Sequence, residues 1–203
     1  SFFHRKLDTV IATHPHADHI PGFVSVLERS DVGLLLDPGV IHDSSMYEAM
    51  WDIVKEKEIP VRYISSRQIY EFGKGSVMDV LYPNRDFVGK DIDDNNLASI
   101  VAKFSDAEVD YMFTGDAHIE TEDELVELFG TQLKSEVLKA GHHGSKTSTS
   151  ASFIEAVQPE LAVMQLGDDN SYGHPHVSVL ETLAEYGIDI KRTDVDGDIV
   201  LRF

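Results

Sequence analysis

The 203-residue sequence predicts a layered α/β domain, with helices packed on sheet faces. Three observations carry that expectation. Apolar residues make up 42% of the chain, enough for one sizeable core. Strand-like segments outnumber helical ones early, and strands and helices then alternate. No repeat of fixed period and no low-complexity linker breaks the order, so residues 1–203 read as one domain.

Residues 7–12 (L-D-T-V-I-A) read as a strand that ends at a histidine-rich turn. Residues 20–29 read as a short helix, with Phe23, Val26 and Leu27 on one face. A buried strand over 34–36 is stopped by Asp37-Pro38-Gly39. An amphipathic helix over 45–57 follows, with Ser44 as its N-cap and Pro60 marking its end. Residues 61–64 form the next strand, and 69–72 with 77–82 a hairpin around Gly73-Lys74-Gly75.

A polar loop dense in Asp and Asn spans 83–96. Strands over 97–104 and 109–114 are joined by a turn at 105–108. Then come a helix over 119–129, a strand over 137–139, a helix over 150–157, a strand over 161–165 and a helix over 177–186. Strands over 188–192 and 198–203 close the chain, with a hairpin turn at Asp196-Gly197. The stretch T-D-V-D-G-D at 193–198 resembles a calcium loop only superficially, because the chain ends before the closing Glu that an EF-hand needs.

Composition narrows the function classes. No apolar run is long enough to span a bilayer as a helix. The absence of cysteine excludes disulfides, a thiolate nucleophile and a Cys-type zinc site. The formal charge is −19, from 36 acidic and 17 basic residues. Phosphate-backbone binding relies on Lys and Arg displacing counterions, so this balance argues against strong sequence-blind binding to duplex DNA. It leaves room for a nuclease, because bound metal ions and a few local bases can hold phosphate.

The densest chemistry lies at residues 13–19, T-H-P-H-A-D-H. Imidazole nitrogens and a carboxylate oxygen are the usual protein ligands of zinc, and they also suit manganese or iron. A turn after a strand can aim several such side chains at one point, where a helix would spread them.

Later strand-end loops carry further candidates: Asn95-Asn96, Asp116, His142-His143, and His174 with His176. Asp116 can cap the helix near Ile119 or bridge two metals. Adjacent histidines on an extended segment face opposite ways, so one of His142 and His143 would be a ligand and the other would contact substrate. Asn96 reads most simply as a loop amide bonding its own backbone. Lys139 and Lys146, with Ser145, Thr147, Ser148 and Thr149, make either an anion-friendly patch or two ordinary surface lysines. His4, His42 and His118 belong to no cluster and read as surface or helix-cap residues.

These motifs resemble a known family. T-H-P-H-A-D-H resembles the signature of the metallo-β-lactamase-fold hydrolases, and T-G-D at 114–116 resembles that superfamily's bridging aspartate. L-K-A-G-H-H-G-S-K-T-S-T-S at 138–150, Y-G-H-P-H at 172–176 and R-T-D-x-D-G at 192–197 are narrower. The ordered set is similar to the C-terminal hydrolase domain of the ComEC competence family and its soluble relatives, over essentially the whole chain.

The resemblance implies an αββα sandwich with a dinuclear site at one edge, holding two divalent ions, zinc or manganese. His14 and His16 would hold the first metal, Asp18 and His19 the second, and Asp116 would bridge them. His143 would complete the second site, with His142 as the alternative. Asp18 would orient the attacking water, and His142 or His174 would stabilise the oxyanion or protonate the leaving group. Asn96, Ser145, Lys146 and His176 would lie on the substrate side. Asn95-Asn96 stand where the superfamily often supplies a further histidine.

The resemblance further implies a phosphodiesterase or nuclease of DNA uptake, acting on single-stranded DNA. A small-ester hydrolase of phosphorylcholine-esterase or lactonase type, acting on a small phosphoester, and a non-catalytic module that binds DNA or a partner are the alternatives. A membrane channel domain in a parent protein, with an extracytoplasmic location, would go with a ComEC-like context. Relatives open with strands carrying a G-Q-G-D-type motif and Asp-Gly-Gly, absent here, so the expectation is that Ser1 is internal to a longer domain.

Overall fold

The computed structural model describes residues 5–202. Two compact units emerge. One comprises the chain up to Arg67 together with Tyr82–Ile100, and the other comprises Gln68–Leu81 and the chain from Val101 onward.

The first unit is built on short parallel pairings. Strand β1 (Arg5–Leu7) pairs with β3 (Ser30–Val32), and β2 (Val10–Ile11), β4 (Leu35–Asp37) and β5 (Val61–Tyr63) form a three-stranded sheet in the order β2-β4-β5. The continuous strand expected over 7–12 is therefore split at Asp8-Thr9, and β3 lay in no expected element. Gly33 explains the split: its amide donates to the Leu7 carbonyl at 2.9 Å, and a Cβ there would sit 2.7 Å from the Asp8 carbonyl oxygen. Only glycine lets the two backbones approach this closely.

Helices α1 (Ile20–Arg29) and α2 (Ser45–Glu56) pack together beside these strands. The Ser44 hydroxyl accepts from the Tyr47 amide at 3.2 Å, as a helix N-cap should. Helix α1 buries Ile20, Val24 and Leu27, while Val26 is 39% exposed and Phe23 packs at the edge. The expected face of Phe23, Val26 and Leu27 was thus rotated too far. Packing against α2 decides which side faces inward, and it turns Val24 toward Tyr47, Met50 and Val54. At the other end Lys57 Nζ donates to the carbonyls of Leu27 and Glu28, at 2.6 and 2.8 Å, satisfying the orphan acceptors of the helix terminus.

The second unit carries a seven-stranded sheet in the order β12-β11-β10-β9-β8-β7-β6. Strands β6 (Gln68–Glu71) and β7 (Val77–Tyr82) form the expected antiparallel hairpin. Strand β8 (Val101–Ser105) pairs antiparallel with β9 (Asp110–Phe113). Strands β9, β10 (Val137–Lys139), β11 (Leu161–Met164) and β12 (Asp189–Arg192) run parallel. Their crossovers use α3 (Ile119–Phe129), α4 (Ala151–Val157) and α5 (Val177–Glu185), which bury Leu125, Phe153, Ile154 and Leu183. Parallel strands place their C-terminal ends on one sheet edge. The loops after β9, β10 and β11 consequently share that edge, where ligands of such sheets bind.

Two expectations fail here. The strand expected from residue 97 begins at Val101, because Asn95–Ala98 form a 3₁₀ turn with Asp94 accepting from the Asn96 amide at 2.9 Å. The closing hairpin at Asp196-Gly197 is replaced by a short helix, α6 (Thr193–Asp196). Arg192 explains it: its guanidinium pairs with Asp194, and its amide donates to Asp196 Oδ2 at 2.8 Å, folding the acidic stretch back on itself. Residues 198–202 form no strand. Among the described residues no helix is long and apolar enough to cross a membrane.

Candidate metal centre

In the first unit, residues 13–19 leave β2 and turn at once into α1. The Thr13 carbonyl accepts from the Ile100 amide at 3.0 Å, and the His16 carbonyl accepts from the amides of His19 and Ile20 at 3.0 and 3.2 Å. This turn converges the rings. His14 lies 4.8 Å from His16 and 4.2 Å from His19 between ring centroids, and Asp18 Oδ2 lies 3.7 Å from His19 Nε2. His14 is 1% exposed, and its Nδ1 meets the Thr13 hydroxyl at 3.1 Å.

His42 joins this group, although it was read as an isolated surface or cap residue. Its ring lies 6.3 Å from His16, and its Nδ1 lies 3.4 Å from the Asn95 side-chain nitrogen. The signal was available: His42 follows Asp37-Pro38-Gly39 at a strand end, as the other candidates follow theirs. Asn95 and Asn96 are both buried, and the buried Asn95 Oδ1 has no hydrogen-bond partner among the described residues. The side chain of Asn95 reaches His42.

In the second unit, Asp116 is 1% exposed just beyond β9. It does not cap α3, since His118 holds that position. Lys139 Nζ lies 3.5 Å from Asp116 Oδ1 and donates to the Gly115 carbonyl at 2.7 Å. The Thr114 hydroxyl donates to the Lys139 carbonyl at 2.8 Å. Lys139 is therefore a partner of a buried carboxylate, not a surface lysine, and burial of that charge requires one. Lys146 is exposed.

His142 and His143 do not sit on an extended segment. Both take the left-handed conformation, with φ of 46° and 55°, inside the turn Gly141–Gly144. The premise that they face opposite ways fails, and both approach Asp116. His143 Nε2 lies 3.4 Å and His142 Nε2 3.9 Å from Asp116 Oδ2. The left-handed turn is held by the His142 amide on the Gly115 carbonyl at 3.2 Å. Gly144 lets it close, because a Cβ there would lie 2.8 Å from Pro175.

The two rings differ in their other nitrogen. His143 Nδ1 lies 2.5 Å from the Gln165 carbonyl, which can only accept, so Nδ1 carries the proton. A neutral His143 then has its lone pair on Nε2, on the Asp116 side. Backbone-fixed tautomers of this kind typify metal-ligating histidines. His142 Nδ1 meets the Thr147 hydroxyl at 3.2 Å, a partner that can donate or accept. His142 stacks on His118 at 5.4 Å and lies 5.7 Å from His174. Burial holds the pKa of His142 below the ordinary histidine value, only partly opposed by Asp116. Burial and the neighbouring His143 do the same for His174, whose buried Nδ1 has no hydrogen-bond partner among the described residues.

The remaining expected positions shape the loops. The Ser145 hydroxyl lies 3.0 Å from that of Thr147. His176 Nδ1 accepts from the Ser178 amide at 3.3 Å and caps α5. His118 holds the N-cap position of α3, as the helix-cap reading of its place in the sequence expects. His4 lies outside the described residues.

Residues 4–168 match the model of the metallo-β-lactamase superfamily. The chain belongs to this superfamily. Among solved structures, this metallo-β-lactamase-fold chain is similar to CmlA, a diiron β-hydroxylase from Streptomyces venezuelae, with a TM-score of 0.59 and 13% identity over 94% of this chain and 44% of that one. It is also similar to a metal-dependent hydrolase from Parabacteroides distasonis, with a TM-score of 0.51 and 14% identity over 94% and 77% of the two chains. At these identities the likeness is one of fold.

Sequence relatives are nearer. ComE operon protein 3 of Bacillus subtilis is 31% identical over 199 residues, covering 98% of this chain and 25% of that protein. Competence protein ComA of Neisseria gonorrhoeae is 32% identical over 197 residues, covering 95% and 25%. Recombination protein 2 of Haemophilus influenzae is 36% identical over 109 residues, covering 54% and 14%. The ComEC resemblance is thereby supported over the whole chain. The chain spans about a quarter of the length of the first two of these relatives.

Proposed function

We propose that this chain is a metal-dependent phosphodiesterase of nuclease type, cleaving single-stranded DNA with two divalent ions, zinc or manganese. The observation that carries the metal reading is the His143 ring, whose Nδ1 is fixed by a backbone carbonyl so that Nε2 is the ligating nitrogen beside a buried carboxylate. The donor chemistry fits divalent ions in each unit: neutral imidazoles with a carboxylate at 13–19, and imidazole with carboxylate at Asp116 and His143. The pairing of the two groups comes from the family resemblance. It gives His14 and His16 to one ion, Asp18, His19 and His143 to the other, and Asp116 to both.

Bound divalent ions would supply a water acidic enough to attack near neutral pH and would polarise the phosphoryl oxygens. The chain's own residues do the rest. Thr13 takes His14 Nδ1, leaving coordination to Nε2. Lys139 holds the Asp116 carboxylate in place. Asp18 orients the attacking water. His142 and His174, with burial weighing against their charged forms, donate a ring N–H hydrogen bond to the substrate oxygen. The choice of DNA follows from the competence relatives.

The test is hydrolysis of single-stranded DNA and of a bis-aryl phosphate by the metal-loaded chain. His16→Ala and Asp116→Ala should each lower turnover by a factor on the order of 10³ or more. Unchanged turnover in either variant removes the two-metal mechanism.

A further inference from the structure

The first unit contains a cleft of about 590 Å³ that the reading above leaves unused. Its walls are aromatic. Tyr47 and Trp51, one turn apart on α2, meet edge to face at 6.0 Å, Trp51 lies 6.2 Å from Tyr63, and His42 lies 5.9 Å from Tyr47. Tyr63 is 43% exposed, so part of its ring is open to a ligand.

The cleft is built into the backbone. Gly39 has φ of +82°, and a Cβ there would lie 2.9 Å from Val88 Cγ2 and 3.1 Å from Tyr63. Any other residue would push those walls apart. The Gly39 carbonyl accepts from the Gly89 amide at 2.9 Å, and Ile41 donates to the Lys90 carbonyl at 2.8 Å, tying the two walls together. Tyr47 donates its hydroxyl to the Val40 carbonyl at 3.0 Å, which fixes its buried ring in the cleft wall.

The charges along the cleft have one sign. Glu48 and Asp52 line it, and among the described residues no Lys or Arg does. A phosphate is repelled there. A neutral flat ring stacks on the aromatic wall, and an exocyclic amino group on that ring donates to a carboxylate. Carboxylates accept in this way from the cytosine amino group. At one end of the cleft stands His42, whose ring lies 6.3 Å from His16.

We propose that this cleft is a nucleobase subsite that favours a base bearing an exocyclic amino group, cytosine, adenine or guanine, over thymine. The proposal rests on the phosphodiesterase reading, which puts the scissile phosphate at the His16 end. The subsite would seat the base of an adjoining nucleotide.

Trp51 is the only tryptophan of the chain, so its fluorescence reports on this cleft. Deoxycytidine, deoxyadenosine, thymidine and choline chloride are each titrated into the metal-free protein, with excitation beyond the nucleoside band. The expected result is saturable quenching by deoxycytidine and deoxyadenosine, about fivefold or more tighter than by thymidine. Tyr63→Ala should weaken all three nucleosides roughly tenfold. The double variant Glu48→Gln, Asp52→Asn should keep nucleoside binding but lose the preference. No saturable response to any nucleoside overturns the proposal, as does equal binding of thymidine, or a response to choline alone, which would make the cleft a cation site. The measurement needs no metal and no turnover. Hydrolysis without nucleoside binding defeats the subsite alone, and nucleoside binding without hydrolysis defeats the nuclease reading alone.

Discussion

The two ligand groups of this chain are made in opposite ways. At residues 13–19 the donors are neighbours in sequence, and a single turn between β2 and α1 packs the His16 and His19 rings within 5 Å of His14. At Asp116 and His143 the donors come from loops after two different strands. They meet because β9 and β10 run parallel and end on the same edge. The first group takes its arrangement from the turn itself, with the Thr13 hydroxyl on His14 Nδ1. The second is buttressed from behind by Lys139, Gly115 and the Gln165 carbonyl. A contiguous group is easy to read in the sequence; a dispersed one is harder to read, because only the strand order brings its members together.

The sharpest way to break that contrast is to exchange the two histidines of the turn at 142–143. His143→Ala should cost about half of the bound metal after dialysis, and His142→Ala should keep metal and lose turnover. Metal analysis beside a hydrolysis assay separates them. Loss of metal from His142→Ala alone would reverse the assignment and void the tautomer argument.

Buried carboxylates give a second contrast. Glu122 is raised by burial but accepts from the Thr149 and Ser150 amides, whereas Asp37 accepts from Gly39 and is raised to about 7. The folded protein thus holds a proton on Asp37 that the unfolded chain releases near 3.8. The stability that Asp37 contributes is fully present below about pH 4 and is lost as pH rises through about 7. Between pH 5 and 7.5 the stability of the protein relative to Asp37→Asn should fall by roughly 3 kcal/mol, read from urea unfolding. A constant difference across that range would show that the carboxyl ionises normally.

Support from behind is tested by Lys139→Met, which should weaken metal binding about 10- to 100-fold while the protein melts cooperatively. Thr13→Val, the corresponding change in the first group, should cost less than about tenfold. Equal losses would erase the difference between the two groups.

Much of this was legible before folding. Helix 119–129 and strand 137–139 are found where the periodicity puts them, because both are set by short-range patterns. The ligand types at 13–19 and the Thr-Gly-Asp after a strand identify the chemistry for the same reason. The strand split at Asp8, the inward face of α1 and the short helix at 193–196 were not legible. Each depends on a partner distant in sequence or on a side chain that redirects the backbone: Gly33 against Leu7, α1 against α2, Arg192 on Asp194 and Asp196.

The sequence by itself determined which residues can bind metal and the superfamily they belong to, since residue identity and spacing are local properties. Only the tertiary structure decided how they point. It put His142 and His143 in a left-handed turn, fixed the His143 tautomer with the carbonyl of Gln165 just beyond β11, and brought His42 beside His16. Ring orientation and protonation are set by hydrogen bonds across the fold, and a linear pattern carries no record of them.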